Sequence, residues 1–156
     1  AVAEAEARFV EIFGRQYTGL TENYRTADAD YILITLGSIA GLARETVDRL
    51  RKQGERVGLL RLRYMRPFPG AEIAEAVKHA KAVAVLEKDI SFGNEGTVYT
   101  NVNSALLKAG LSMPSSNYIG GLGGKNISQT EIEGIFRDLK QETVRIQFLG
   151  IGGEDE

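Results

Sequence analysis

The chain has 156 residues, 43% of them apolar, and a formal charge of −2, which suits a single domain with an appendage better than two domains. It has no cysteine, which rules out disulfides, thiolate zinc sites, cysteine-ligated iron–sulfur clusters and a catalytic thiol within it. The small net charge argues against a nucleic-acid partner, and the longest apolar runs are strand-sized, so no membrane span or secretion signal is read and a soluble, cytoplasmic protein is expected.

The chain opens on Ala1 rather than methionine, and is expected to be part of something longer. Ala5, Phe9, Ile12 and Phe13 recur at helical spacing, so residues 2–14 read as an amphipathic helix that Gly14 ends. Residues 15–30 look like a linker in which Leu20 to Arg25 could form a short edge strand. YILITL (Tyr31 to Leu36) is a strand that runs through Gly37 and Ser38 into a helix over about 40–53, with Ala43, Val47 and Leu50 as its buried stripe and Gly54 as its stop.

From Arg44 to Arg66 there are eight basic residues against three acidic ones. Glu45 with Arg49, and Asp48 with Lys52, are spaced to pair along that helix, which favours a solvated face over a polyanion site. Arg61, Arg63 and Arg66 extend the excess along a strand end, where helical pairing does not account for them.

VGLLRLRYM (Val57 to Met65) is the next strand, RPFP a rigid turn, and Pro69 stands where a helix start over about 70–79 tolerates a missing amide hydrogen. AVAVL (Ala82 to Leu86) is a strand buried on both faces and empties into the charged loop Glu87 to Gly96. A helix follows over 97–109, ended by Gly110. Its polar face, Thr97, Thr100, Asn101, Asn103 and Ser104, carries little charge, which predicts contact with a neighbouring domain. Asn117 to Gly120 is a short strand leading into GLGGKN. SQTE at Ser128 to Glu131 is a capping box, with Ile132, Ile135, Phe136 and Leu139 as the buried face of the last helix. Val144, Ile146 and Phe148 alternate weakly, and the terminal GIGGEDE is expected to fray.

Strands alternating with helices argue for a mostly parallel α/β sheet covered on both faces, with ligands favoured at the carboxyl ends of the strands, where the strand order reverses. If AVAVL lies beside YILITL on the side away from VGLLRL, that reversal falls between Gly37-Ser38 and Glu87 to Gly96. The chemistry there is sparse. IGGLGGKNIS fits neither GxxxxGK[ST] nor GxGxxG, so its glycines are read as allowing close backbone packing, with Lys125 and Asn126 free to touch a phosphate between domains. The acidic loop matches no calcium or magnesium pattern. Asn94 or Glu95 is expected to cap the following helix, and Glu87, directly after a buried strand, is the carboxyl expected to be raised in pKa. The single histidine, His79, reads as a surface residue near a helix end, and TLGSIAG is not GxSxG. No catalytic or metal residue is assigned.

The succession DADYILITLGSIAG, RLRYMRPFPG, AVAVLEKDISFGNEG and IGGLGGKNIS resembles the transketolase C-terminal-like domain in the alpha part of 2-oxoacid:ferredoxin oxidoreductases, closest to those acting on pyruvate. The resemblance runs from about Phe9 to Phe136. It implies a three-layer α/β/α domain with a five-stranded sheet in the order 1-3-2-4-5, the first strand antiparallel. It also implies residues 1–19 as a helix and linker from a preceding thiamine-enzyme domain, residues 20–142 as the domain proper, and residues 143–156 as a tail. The parent enzyme would oxidatively decarboxylate a 2-oxoacid to an acyl-CoA, using thiamine diphosphate, magnesium, [4Fe–4S] clusters and coenzyme A, and pass electrons to ferredoxin. This chain would hold none of those cofactors and would be an accessory domain contacting other domains and subunits of the enzyme. Gly37, Ser38, Arg66, Asn94, Gly123, Gly124, Lys125 and Asn126 are the candidates for that interface or for the coenzyme A side. A stand-alone nucleotide- or coenzyme A-binding module, and the equivalent domain of a transketolase-like thiamine enzyme, are the alternatives.

Overall fold

Ile32, Leu33, Ile34 and Val83, Ala84, Val85 are all fully buried, because the two strands that carry them lie at the centre of a sheet with helices on both faces. The computed structural model describes residues 2–15, 19–141 and 144–150. In chain order the elements are α1 (Val2–Phe13), β1 (Thr21–Tyr24), β2 (Tyr31–Leu36), α2 (Ile39–Lys52), β3 (Val57–Leu62), α3 (Gly70–Val77), β4 (Ala82–Glu87), α4 (Thr97–Lys108), β5 (Ser115–Ile119), α5 (Gln129–Lys140) and β6 (Ile146–Phe148). The sheet order is β1-β3-β2-β4-β5-β6, with β1 antiparallel to β3 and the other neighbours parallel.

The expected order 1-3-2-4-5 with an antiparallel first strand is present, and the expected count of five is corrected to six. The additional strand comes from residues read as a tail: Asn117 N donates to Arg145 O at 2.9 Å and Leu149 N to Ile119 O at 2.8 Å, fixing β6 beside β5. Its alternation over three residues, with Ile146 and Phe148 both exposed, is too short and too thinly buried to register as a strand in sequence. Residues 151–156, which carry most of the expected fraying end, lie outside the described residues.

Alternate residues of the central strands face opposite layers. Leu33, Leu59, Ala84 and Leu86 pack with α2 and α5, while Ile34, Leu60, Val83 and Val85 pack with α3 and α4. The crossovers through α2, α3 and α4 share one hand, as parallel connections normally do. The β5–α5–β6 connection moves in the same direction as β4–α4–β5 but passes the opposite face, so its hand is reversed. Burial accounts for this: with α3 and α4 on one face, α2 alone would leave β4 and β5 uncovered on the other. Ile132, Ile135, Phe136 and Leu139 of α5 supply that cover, each contributing about 1.5–3 kcal/mol.

Helix α1 buries none of its residues, although its acidic and apolar positions alternate at helical spacing. Ile12 and Phe13 are 62% and 61% exposed.

Candidate functional site

The strand order reverses between β2 and β4, and a crevice of about 390 Å³ opens there, lined by Gly37, Ser38, Met65, Lys88, Asp89 and Val98 among others. Its walls come from the carboxyl ends of β2 and β4 and the starts of α2 and α4, so it is the switch-point crevice that the strand pattern implies. Ser38 precedes α2 without a capping bond from its hydroxyl, and both Gly37 and Ser38 are exposed.

At the back of this crevice is Glu87, 1% exposed. Its carboxylate accepts from Val98 N at 2.7 Å and Tyr99 N at 3.1 Å, the free amides of α4, and from Asn117 Nδ2 at 2.9 Å. Asn117 Oδ1 accepts in turn from Gly96 N at 2.8 Å. Neither Asn94 nor Glu95 caps α4, as the sequence led one to expect. Asn94 is exposed at the loop tip, its N donating to Ser91 O, and Glu95 accepts from the Thr100 hydroxyl. A cap reaching in from a neighbouring strand leaves no spacing signal along the sequence, which is why this one was missed. Burial lifts the Glu87 carboxyl above its ordinary range, opposed by the Val98, Tyr99 and Asn117 donors. The raised carboxyl expected at this position is therefore present, and its work is to hold β4, α4 and β5 together.

The other candidates sit on the same edge but outside the crevice lining. Arg66 is exposed and turns back to donate to Met65 O at 2.7 Å. After β5, Gly121, Gly123 and Gly124 have φ of 74°, 64° and 83°, backbone that other residues adopt at a cost. A Cβ at Gly123 or Gly124 would meet nothing within 4 Å, whereas one at Gly121 would lie 2.8 Å from Lys88 Cε. The close approach expected of these glycines is met at Gly120, where a Cβ would lie 3.1 Å from Ile127 Cδ1 and 3.2 Å from Leu149 Cδ1, and at Gly121, where it would also lie 3.3 Å from the backbone Lys125 O, whereas Gly123 and Gly124 answer to conformation. Lys125 Nζ donates to Gly150 O at 2.5 Å, and Asn126 is exposed. His79 lies in the turn after α3 with Nε2 2.8 Å from Thr26 O.

The arginine excess resolves differently from the helical pairing expected. Arg49 pairs with Glu133 of α5, and Asp48 accepts from Tyr24 and Arg25. Arg44, Arg61 and Arg63 converge on one carboxylate, Glu22. Only the pairing of β1 with β3, which sets Glu22 opposite Arg61, reveals this cluster.

Among the described residues no group of three or more His, Cys, Asp or Glu side chains is placed to hold a metal ion, and no helix is long and apolar enough to cross a membrane. With no cysteine in its sequence, the chain offers no thiolate to an iron–sulfur cluster.

Fold and edge together define a three-layer α/β domain of the transketolase C-terminal type. A solved chain titled "Split gene transketolase, inactive beta4 tetramer" has this fold, with a TM-score of 0.57 at 13% identity over 83% of this chain and 44% of that one. The profile described as pyruvate:ferredoxin oxidoreductase core domain II matches residues 29–132, and the chain belongs to that family. It is 42% identical over 99% of its length to the pyruvate synthase subunit PorA of Methanothermobacter thermautotrophicus, covering 39% of that protein. It is 37% identical over 90% of its length to the ketoisovalerate oxidoreductase subunit VorA of Pyrococcus abyssi, covering 35% of it. The 2-oxoglutarate:ferredoxin oxidoreductase from Magnetococcus marinus, solved with 2-oxoglutarate, coenzyme A and succinyl-CoA bound, matches with a TM-score of 0.55 at 25% identity over 86% of this chain and 21% of that one. The chain thus spans well under half the length of these relatives.

Proposed function

We propose that the chain is an accessory domain of the alpha subunit of a 2-oxoacid:ferredoxin oxidoreductase, with pyruvate as the first candidate substrate. In that enzyme the 2-oxoacid loses carbon dioxide, its acyl group passes to coenzyme A and the electron pair passes to ferredoxin. Thiamine diphosphate with magnesium supplies the carbanion chemistry and [4Fe–4S] clusters carry the electrons, all held outside this chain. The observation that carries the reading is the 42% identity to a pyruvate synthase subunit across 99% of the chain. The domain buttresses the thiamine-binding domains through its carboxyl edge, where Gly37, Ser38, Arg66, Asn94, Gly123, Gly124, Lys125 and Asn126 are candidates for contacts with them or with coenzyme A. The exposed apolar side of α1 gives a second attachment, and the parent enzyme is placed in the cytoplasm.

The test is the complete subunit, assembled with its companions and assayed for ferredoxin reduction that depends on both pyruvate and coenzyme A. Such reduction is expected, together with none from the 156-residue chain alone. An assembled enzyme inert toward every 2-oxoacid tried, or a lone chain that turns one over, would overturn the reading.

A further inference from the structure

Phe92 is the most exposed of the large apolar side chains among the described residues, and the backbone around it is held in place. Ser91 N donates to Glu95 O at 3.1 Å and Asn94 N to Ser91 O at 3.0 Å, closing a turn in which Gly93 takes a φ of 69°. Both ends of the loop are fixed as well, Glu87 by the amides of Val98 and Tyr99 and Gly96 N by Asn117. Apolar cover is at hand on the same edge, since Ile39, Met65 and Val98 line the β2–β4 crevice, yet Phe92 stays out of it. A preformed turn that holds an aromatic ring in water forgoes hydrophobic stabilisation within this chain and recovers it only against a partner.

The surface continues from this turn onto α4. Glu95 Oε1 accepts from Thr100 Oγ1 at 2.9 Å, joining the turn to Thr100, Ser104 and Leu107, which are all exposed and spaced to share one helix face. Leu107 is 79% exposed, and α4 carries one charge, Lys108, in its last turn. Beside this row runs a groove of about 430 Å³ between α3 and α4, lined by Gly70, Ala74, Asn101 and Ala105 among others. A projecting aromatic ring beside a surface depleted of charge is the composition of an interface centre rather than of a solvated face. The turn carries Asp89 and Glu95 against Lys88 alone, which disfavours an anionic lipid surface or a nucleic acid. A convex tip does not enclose a small molecule, so the partner that fits is a protein.

We propose that Phe92 is the anchor by which this domain docks, with Thr100, Ser104 and Leu107 beside it, and that its ring enters an apolar socket with an uncharged rim on the part of the alpha subunit outside this chain. The assignment of the socket rests on the function proposed above. The chain spans 39% of the PorA relative and 35% of the VorA relative, so most of such a subunit is tethered to this domain and meets it at high effective concentration.

The test takes the complete subunit assembled with its companions and follows amide hydrogen exchange over residues 90–95, with β2 and β4 as internal controls. The unsubstituted enzyme is expected to exchange slowly there. Phe92→Ser should speed exchange in that segment by about tenfold or more while β2 and β4 keep their rates, and Phe92→Leu, which keeps an apolar knob, should recover most of the protection. Rapid exchange over 90–95 in the unsubstituted enzyme, or an equal acceleration of β2 and β4 in Phe92→Ser, would overturn the proposal. Should Phe92→Ser not assemble, Phe92→p-benzoylphenylalanine decides: on photoactivation it is expected to crosslink to residues of the same alpha polypeptide outside this chain. Crosslinks confined to a companion subunit, a second copy of the alpha subunit or this chain's own crevice overturn it. Ferredoxin reduction by the same preparation is read separately, so an active enzyme whose crosslinks at position 92 fall elsewhere sinks the docking and leaves the proposed function standing.

Discussion

Glu87 illustrates how one side chain can be costly and indispensable together. Truncation by Glu87→Ala would strand the amides of Val98 and Tyr99 and the Nδ2 of Asn117, and is expected to cost about 3 kcal/mol or more in urea unfolding. Its backbone neighbour is as constrained: a Cβ on Gly96 would fall 2.0 Å from Glu87 Oε1, so Gly96→Ala should destabilise by about 1–3 kcal/mol. The pH dependence has a definite sign. Because burial raises the Glu87 carboxyl, its contribution to stability is full below the ordinary carboxyl pKa and is lost as pH rises through the raised value. Asp48 behaves oppositely. The Tyr24 hydrogen bond, then Arg25, holds it below its ordinary 3.8, so its contribution is present above that value and fades as pH falls through the lowered one. Unfolding measured against pH should therefore lose its high-pH decline in Glu87→Gln and part of its acid decline in Asp48→Asn.

At the scale of elements, the parts set by neighbours in sequence were legible and those set by neighbours in space were not. The α5 capping box could be read because Ser128 and Glu131 are three apart: Glu131 N donates to Ser128 Oγ at 3.2 Å, and Ser128 N to Glu131 Oε2 at 2.6 Å. Ser128→Ala should lower stability by about 1 kcal/mol in the same unfolding measurement. Strands β2 and β4 were equally plain, since strands buried on both faces read as continuous apolar runs. The cap of α4, the convergence on Glu22 and the docking of β6 each depend on pairing between distant strands, which spacing does not encode. The side of the sheet taken by α5 was also hidden, because its apolar stripe shows only that it packs somewhere. Tyr118 Oη donates to Asp138 at 3.0 Å and Arg145 pairs with Asp138 at 2.8 Å, tying β5, α5 and the entry to β6 through one carboxylate.

For the molecule as a whole, the order of the first five strands and the switch-point crevice followed from the family likeness and the strand pattern together, whereas the site residues were placed only as members of an edge. Arg66, Asn94 and Asn126 are exposed and outside the crevice lining, and under the proposed function their role is contact with the rest of the parent enzyme. Helix α1 gives a direct test at this scale. Since none of its residues is buried, Ile12→Asp with Phe13→Asp should leave the unfolding midpoint of this chain within about 0.5 kcal/mol of the parent yet impair incorporation into the assembled enzyme, read by co-purification of its companions.

The outermost strands set a last condition on how this unit associates. Among the described residues one flank of the sheet ends in the four residues of β1 and the other in the three of β6, and rims this short offer few main-chain donors and acceptors to template a further strand. Copies crowded together gain little from lying rim to rim, and in the enzyme proposed above side-chain identity on helices and loop tips, rather than backbone pairing, would choose the companion.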